Sequence, residues 1–377
     1  PSRRDCEPGL VGRAVGGQHR PGRLGRPADD VGAQDDVADA QAAEQVDGHR
    51  LRESVGGGGP VFRQTQRYAG LPVKPNPWPM TLAEYHQLRP LTTEGGTLWV
   101  KPGARGYADP QYSLLAEMVE PRGQRALELN PGLGMVSLSL LSQGMAVEMI
   151  ETSRAALRCL EKSFQKSLAG VKRGLPWETP EGEFDLAVMV LPANRGSEFT
   201  RLSLQGAAHA LKMGGRLLIA GDKTKGFESY FREAQRVLGY GEIRRRNGAL
   251  RAAVIEKEIA APPPEDSWAG FSANLLGQEL VFRHLPGVFS AGRVDPGSRL
   301  LLETIEPPFT GRLLDLGSGY GTLGLALAAK GLEATLLEDD WASVQSAQAS
   351  AQANGIQASV LQGAQEAASA LSVEDVN

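Results

Sequence analysis

The pattern of apolar and polar positions between residues 92 and 255 is typical of strands that alternate with helices. Apolar runs at 184–192 (FDLAVMVLP), 214–223 (GGRLLIAGDK) and 252–255 predict strands, and the patterns at 202–211 and 226–238 predict helices. Strands that alternate with helices favour a mainly parallel sheet covered on both faces. This pattern predicts a complete doubly wound α/β domain that begins near Thr92.

One segment of this pattern occurs twice. Residues 125–157 align without a gap with residues 312–344, and ten of the 33 positions are identical, against about two expected from ordinary composition. The shared positions include Gly132/Gly319, Gly134/Gly321, Gly144/Gly331 and Glu151/Glu338. Each copy has the pattern of a strand, a glycine-rich turn, a helix and a strand that ends in an acid. Asp109-Pro110 matches Asp295-Pro296 upstream, after an offset of one residue.

The chain is predicted to have four segments. Residues 1–79 are rich in glycine, arginine, proline, alanine and aspartate without apolar periodicity, which indicates a disordered or non-native extension. Met80 is the first methionine, and we expect the natural protein to begin there. Residues 80–259 form a first domain, residues 260–270 a proline-rich linker, and residues 271–377 a second domain.

The second domain is expected to be incomplete. After a short third strand at 358–361 and a helix, the chain ends where the first copy supplies three more strands. A half sheet leaves backbone N–H and C=O groups unpaired along its open edge. We therefore expect the last segment to be poorly ordered.

Composition and charge narrow the classes of function. The net charge of −4 is uneven, because residues 80–262 carry 24 basic and 20 acidic groups, whereas residues 263–377 carry 5 and 14. A polyanion would therefore contact mainly the first domain. Cys6 and Cys159 fit neither a disulfide framework nor a zinc site. Without an apolar run of membrane-spanning length or a signal core, we expect a cytoplasmic protein with no membrane or metal partner.

The glycine loop of the second copy carries the candidate chemistry. It consists of an acid before the loop, three glycines within it and an acid at the end of the next strand: Asp315, Gly317, Gly319, Gly321 and Glu338. Glycines there permit positive φ and bring backbone N–H groups close to a ligand, and the second acid can accept both ribose hydroxyls. Packing alone is the competing explanation for such glycines.

Two cofactors compete for this loop. Residues 319–324 satisfy the GxGxxG pattern of dinucleotide-binding proteins, but that match alone is weak. An acid before GxGxG, followed by another acid about 20 residues later, is the pattern of S-adenosylmethionine methyltransferases. The sequence contains no GK[ST] motif, which argues against a loop that binds a nucleoside triphosphate.

Longer stretches resemble one family. Residues 285–305 (LPGVFSAGRVDPGSRLLLETI), residues 313–328 (LLDLGSGYGTLGLALA) and Ala353-Asn354-Gly355 are similar to the small-subunit ribosomal RNA guanine-N2 methyltransferases. The resemblance covers roughly residues 92–371 and implies two tandem class I methyltransferase (Rossmann-like, doubly wound) domains, a degenerate first one and an active second one. It implies S-adenosyl-L-methionine as cofactor, bound by Asp315, Gly317, Ser318, Gly319, Gly321, Glu338 and Asp339.

Two departures from the family pattern affect the expected activity. Ala364, followed by Gln365, stands where the family usually offers Asp or Asn to the adenine amine. The family's Asn-Pro-Pro-Phe motif, which holds the exocyclic amine and the flipped base, would lie beyond Asn377. The catalytic residues are therefore not assigned, and we expect impaired activity in the chain as given.

The first copy is expected to be degenerate. In the place of that motif it has Leu191-Pro192-Ala193-Asn194, and Pro131 removes a backbone donor from its glycine loop. Basic residues of the first domain are candidate phosphate contacts, although a solvated surface explains them about as well. They are Arg244, Arg245, Arg246, Lys223 and Lys225.

The resemblance thus implies a monomeric methyltransferase that acts on ribosomal RNA or the small ribosomal subunit. Two other classes stay open on the residues alone. One is a non-catalytic RNA-binding protein built from methyltransferase-like domains. The other is an NAD-dependent oxidoreductase, against which Asp315 and the GVFS sequence at 287–290 argue.

Overall fold

The computed structural model describes residues 82–167, 169–265, 267–306 and 309–363. We call residues 82–259 the first half and residues 267–363 the second half. The helices and strands of the first half are α1 (Leu82–His86), β1 (Arg89–Thr93), β2 (Gly96–Val100), α2 (Pro110–Ala116), β3 (Arg125–Leu129), α3 (Met135–Ser142), β4 (Ala146–Glu151), α4 (Arg154–Phe164), β5 (Gly170–Arg173), β6 (Phe184–Val190), α5 (Ser197–Ala210), β7 (Leu211–Asp222), α6 (Phe227–Leu238), β8 (Gly241–Asn247) and β9 (Leu250–Glu256). One-turn 3₁₀ helices follow β6 at Ala193–Arg195 and β7 at Lys223–Lys225.

Strands β3 to β9 form one seven-stranded sheet in the order β5-β4-β3-β6-β7-β9-β8. Strands β3 to β7 are parallel, and β9 runs antiparallel to its neighbours β7 and β8. The central strand β6 is apolar and buried along nearly its whole length, because helices cover both faces of such a sheet. This topology confirms the predicted doubly wound α/β fold.

The structure adds elements that the apolar pattern missed. The hairpin of β1 and β2 begins before the expected start at Thr92 and pairs Arg89 with Val100. Strand β8 contains Arg244 to Arg246 and is exposed along most of its length, since it is an edge strand that pairs with β9. A strand with no buried face shows no alternation of apolar and polar residues. The prediction therefore correctly gave residues 252–255, within β9, as the last strand but omitted β8.

The second half repeats the beginning of the first sheet. Its elements are β10 (Ala269–Leu275), β11 (Gln278–His284), α7 (Pro296–Thr304), β12 (Arg312–Leu316), α8 (Thr322–Ala328), β13 (Glu333–Glu338), α9 (Trp341–Ala353) and β14 (Ala358–Gln362). Strands β12, β13 and β14 are parallel and adjacent in that order. The pairs Arg125↔Ala146 and Arg312↔Glu333 are equivalent in the alignment, so the duplication preserves strand register.

The repeat also extends upstream, as predicted. Asp109 caps α2 by accepting the Gln111 N–H, and Asp295 caps α7 by accepting the Ser298 N–H. Proline follows both caps at the first helical turn, where its missing N–H has no cost. The hairpin of β10 and β11 was not predicted. Phe271, the predicted first residue of the second domain, belongs to β10 and packs against the core of the second half.

The two halves contact each other through equivalent segments. Ser153 and Asp340, which are equivalent in the alignment, form an isolated antiparallel bridge. The Arg154 N–H donates to the Asp339 carbonyl at 3.0 Å, and the equivalent Trp341 N–H donates to the Thr152 carbonyl at 2.9 Å. Because these two bonds are reciprocal, the contacting segments are related by a local two-fold axis.

Several predictions concern residues that the structure does not describe. The extension at 1–79, the helix expected after β14, and Ala364 with Gln365 lie outside the described residues. Within the described ranges, no helix combines the length and the apolar character that a membrane span requires.

Candidate functional site

A cavity of about 340 Å³ lies at the carboxyl ends of β12 and β13. Ligands of open α/β sheets bind at this edge, because helix N-termini and loops meet there. Residues of both halves line the cavity: Arg195, Gly287, Phe289, Ser290, Asp295, Ser298, Asp315, Gly317, Ser318, Gly319, Tyr320, Thr322, Leu323, Glu338, Asp340 and Ser343.

The glycine loop leaves open space on the cavity side. Gly317 has φ +72° and Gly319 has φ +58°, values that L side chains rarely adopt, and a Cβ built at either would meet nothing within 4 Å. The Ser318 hydroxyl between them is buried and has no hydrogen-bond partner among the described residues. An unpaired buried hydroxyl beside an open backbone suits a polar ligand that approaches the loop closely.

Asp315 connects the strand before the loop to the helix after it. Its Oδ2 accepts the Gly324 N–H at 2.8 Å in the first turn of α8. Burial raises the pKa of the Asp315 carboxyl, and the bond from Gly324 opposes part of that rise. The bond uses Oδ2, which leaves Oδ1 as an acceptor for a cationic or hydroxyl-bearing ligand.

Glu338 ends β13 and closes the loop from the other side. Its Oε2 accepts the Gly319 N–H at 2.9 Å, and its Oε1 accepts the N–H groups of Asp339 and Asp340 at 2.8 and 3.2 Å. Burial raises the pKa of this carboxyl, and the bond from Gly319 opposes part of that rise. A carboxylate has about four lone-pair sites, and three of them are used by these bonds, so Oε2 of Glu338 keeps one site for a ligand hydroxyl.

The first half supplies one wall of the cavity. Arg195, in the 3₁₀ helix after β6, donates from Nη1 and Nη2 to the two carboxylate oxygens of Asp340 at 2.7 and 2.8 Å. Its Nε donates to the Gly287 carbonyl at 3.0 Å. Burial acts to raise the pKa of Asp340, but Arg195 and Arg105 outweigh it and hold that pKa below its ordinary value.

The equivalent place in the first half is closed by its own side chains. Glu151, equivalent to Glu338, accepts the Gly132 N–H at 3.1 Å and also binds Arg105 Nη1 at 2.6 Å. A Cβ at Gly132 would lie 2.8 Å from the Arg105 carbonyl and 3.1 Å from the Tyr112 hydroxyl. The open loop at Gly319 and the covered loop at Gly132 therefore distinguish the two copies.

The structure brings most of the predicted cofactor residues together. Asp315, Gly317, Ser318, Gly319 and Glu338 line the cavity, whereas Gly321 and Asp339 do not. Gly321, at φ +93°, is the N-cap of α8, and a Cβ there would lie 2.8 Å from Leu325 Cδ1.

The neighbouring acids Asp339 and Asp340 have different roles. Asp339 accepts the Ser153 hydroxyl at 2.6 Å and the Ala155 N–H at 2.7 Å, so its carboxylate is engaged at the contact between the halves. Asp340, which the sequence analysis did not select, lines the cavity in its place. Its signal was present, because Asp340 precedes Ser343 by three residues and accepts its N–H as the N-cap of α9.

Arg105 and Arg195 were also missed by the sequence analysis. When Pro102-Gly103 is aligned with Pro286-Gly287, Arg105 of the first copy falls opposite Phe289 of the second. This difference in the sequence could have indicated that the two copies differ beside their glycine loops. No local pattern marks Arg195, because its partners Gly287 and Asp340 lie far away in the chain.

The candidate RNA contacts occupy two different surfaces. Lys223 and Lys225 follow the carboxyl end of β7. Arg246 lies near the carboxyl end of β8, which β9 separates from β7, and it is paired with Arg251 of β9. Arg244 instead pairs with Glu242, with Nε and Oε1 2.6 Å apart. Arg244 and Arg245 line a separate cavity, beside Glu117, Glu120, Arg122 and Arg216. Across the described ranges, no cluster of three or more metal-ligating side chains occurs.

Comparisons with known proteins converge on one family. The model of the methyltransferase small domain matches residues 103–247 and 279–374. Ribosomal RNA small subunit methyltransferase C of Stutzerimonas stutzeri (strain A1501) is 33% identical over 261 residues, which cover 68% of this chain and 74% of that protein. The protein of the same name from Pseudomonas aeruginosa (strain LESB58) is 35% identical over 188 residues, 48% of this chain and 55% of that protein.

One solved structure is closely similar. A T. thermophilus 16S rRNA N2 methyltransferase (RsmC), solved in complex with AdoMet and guanosine, is 51% identical with a TM-score of 0.72. The match covers 75% of this chain and 77% of that one. The cavity at the glycine loop can therefore be assessed against a cofactor of known chemistry.

Proposed function

Because the chain belongs to the methyltransferase small domain family, with the ribosomal RNA small subunit methyltransferases C as relatives, we propose that its second half binds S-adenosyl-L-methionine. We further propose that the protein methylates the exocyclic N2 of a guanine in small-subunit ribosomal RNA. The observation that carries the proposal is the open glycine loop between Asp315 and Glu338, with space at Gly317 and Gly319 and a free hydroxyl at Ser318. The relative solved with AdoMet and guanosine supports it.

The donors and acceptors of the cavity fit this cofactor. Glu338 Oε2 keeps an acceptor site for a ribose hydroxyl, and Ser318 with the loop N–H groups would contact the polar end of the methionine part. Asp315 Oδ1 would accept from the methionine ammonium group. When bound, S-adenosyl-L-methionine supplies a methyl group on a positively charged sulfur, which needs little acid or base assistance.

The substrate side is proposed to lie along the carboxyl edge of the first sheet. Lys223 and Lys225 are exposed directly after β7, which neighbours the strand followed by Arg195. Arg246 is exposed on β8, which lies beyond β7 and β9 in the same sheet. Lys and Arg side chains along an edge that leads to the cavity would contact phosphates and orient a single-stranded segment. Arg244 is less suited to this role, because Glu242 already pairs with it.

Cofactor binding is the first test. Calorimetric titration with S-adenosylhomocysteine should show binding by the wild-type chain and a strong loss in Asp315→Asn. The matched control is Glu128→Gln at the equivalent position of the first half, where the acid is buried against Ser137. Equal loss in both variants, or no binding by the folded wild type, would reject the proposed cofactor site.

Methyl transfer is a separate test. Tritium transfer from labelled S-adenosyl-L-methionine to small-subunit rRNA should appear at guanine N2, identified by nucleoside analysis. Binding of cofactor and RNA without transfer, in this chain and also in a chain extended to include an Asn-Pro-Pro-Phe motif, would instead favour the non-catalytic RNA-binding function. Binding of a nicotinamide cofactor in place of S-adenosylhomocysteine would favour an oxidoreductase.

A further inference from the structure

We infer that Arg195 of the first half positions two walls of the cofactor cavity in the second half, so the degenerate half is itself part of the cofactor site. The inference rests on the proposed cofactor binding and assigns a role that the family pattern does not contain. Arg195 lies directly after Leu191-Pro192-Ala193-Asn194, where the first copy has lost the motif that would hold a substrate. Among the described residues that line the cavity, Arg195 is the only cation.

One guanidinium holds two segments that are distant in sequence. The fork of Nη1 and Nη2 binds both oxygens of Asp340, the N-cap of α9, while Nε binds the Gly287 carbonyl. The planar guanidinium offers donors in fixed directions, so it can serve a carboxylate and a carbonyl at once. A lysine at this position could pair with Asp340 but could not reproduce the three bonds in this geometry.

The segment around Gly287 packs directly onto the first half. Gly287 has φ +85°, and a Cβ there would lie 2.4 Å from Phe199 Cδ2 and 3.0 Å from Arg195 Nε. The Arg195 guanidinium stacks on the Phe199 ring at 4.2 Å from its centre. The next residues to line the cavity are Phe289, which is 74% exposed, and Ser290, at φ +53°. Arg195 thus fixes the base of a segment whose tip is exposed and strained.

The second wall is formed by Asp340, which contacts Glu338, the acid proposed to bind the ribose. The Asp340 N–H donates to Glu338 Oε1 at 3.2 Å, so the position of Asp340 bears on the orientation of the Glu338 carboxylate. Arg105 contributes less to this anchor, because its Nη2 lies 3.7 Å from Asp340 Oδ1. Loss of Arg195 would therefore loosen both Glu338 and the segment at 287–290, although both belong to the other half.

The test compares Arg195→Met with Arg201→Met in the full chain. Arg201 lies nearby on α5 and pairs with Glu198 at the surface, away from the cavity lining. Affinity for S-adenosylhomocysteine is measured by calorimetry, and release of the segment is measured as the rate of chymotryptic cleavage after Phe289. We expect Arg195→Met to bind at least about tenfold more weakly and to be cleaved faster, while Arg201→Met stays at the wild-type values.

Affinity within about twofold of wild type in Arg195→Met would overturn the inference. So would weaker binding without faster cleavage after Phe289, because that result shows that Arg195 does not hold the segment at 287–290. If Arg195→Met does not fold, Arg195→Lys decides: it keeps a charge opposite Asp340 but loses the Gly287 bond, and wild-type affinity there also overturns the inference. A wild-type chain that binds no S-adenosylhomocysteine refutes the proposed function itself, whereas wild-type binding with an unaffected Arg195→Met refutes only this inference.

Discussion

Arg105 and Glu151 form an ion pair in the first half at the place where the second half has its open glycine loop. Arg105 Nη1 lies 2.6 Å from Glu151 Oε1, and the Glu151 side chain is fully buried. The equivalent Glu338 accepts the corresponding glycine N–H but lines a cavity. The first copy has thus kept the acid of a nucleotide site and given it an internal cation as partner, which closes the site.

Removal of Arg105 should destabilise the fold. Arg105→Ala leaves the Glu151 carboxylate buried without its cation, and breaking such a pair costs about 3–5 kcal/mol. Denaturant unfolding measures the loss. Arg201→Ala, which breaks a surface ion pair with Glu198, should change the stability little. A similar small change in Arg105→Ala would show that the internal pair is not important for stability.

Glu128 should make the stability depend on pH. Burial raises its pKa to about 8, so the folded state keeps a proton that the unfolded chain, with an ordinary pKa of 4.5, has released. Stability should therefore fall as pH rises from about 4.5 to about 8, by up to about 1.4 kcal/mol per pH unit, and level off above that. Unfolding free energies measured from pH 5 to 9 should show a weaker slope in Glu128→Gln. An identical slope in both proteins would contradict the raised pKa.

Gly317 should be required for space as well as for conformation. Gly317 and Gly214 have nearly the same φ, +72° and +74°, and a Cβ at either meets nothing within 4 Å. Alanine at each position should cost similar stability, about 1 kcal/mol, because each adopts a left-handed conformation. Only Gly317→Ala should weaken S-adenosylhomocysteine binding in calorimetry, since its Cβ would enter the cavity. Equal effects of the two variants on binding would mean that the open space at Gly317 has no role.

Lys223 and Lys225 should contribute to the salt dependence of RNA binding. Replacing both by alanine should weaken binding to small-subunit rRNA and reduce the slope of log K against log salt by about 1 to 2. Filter binding between low and moderate salt measures the slope. Arg244→Ala is the matched control, since Arg244 is paired with Glu242. A larger change in the control than in the lysine variant would indicate that RNA contacts the surface around Arg244 and Arg245 instead.

Local patterns predicted the sheet and its loop well. The apolar runs located β6 and β7, and the aligned glycines and acids located the loop, because these features depend on neighbours within one strand, turn and helix. Strand β8 was missed because an exposed edge strand of arginines has no buried face.

Long-range contacts limited the prediction of the site. The bond from Arg195 to Gly287 and the pairs of Arg105 with Glu151 and Asp340 join residues that are far apart in the chain. A single sequence gives no direct signal for such pairs. The predicted weakness of the first loop was attributed to Pro131, whereas the structure adds a side chain that covers it.

The reciprocal bonds of Arg154 and Trp341 have the geometry of a symmetric dimer that has become one chain. In a dimer of identical subunits, a residue on the two-fold axis faces its own copy, so an acid there would face an identical acid and be repelled. Covalent fusion of two gene copies removes this constraint. The two residues that face each other across the axis are now different, Ser153 in the first copy and Asp340 in the second. The acid Asp340 therefore faces a serine, and its counter-ions Arg195 and Arg105 come from the first copy.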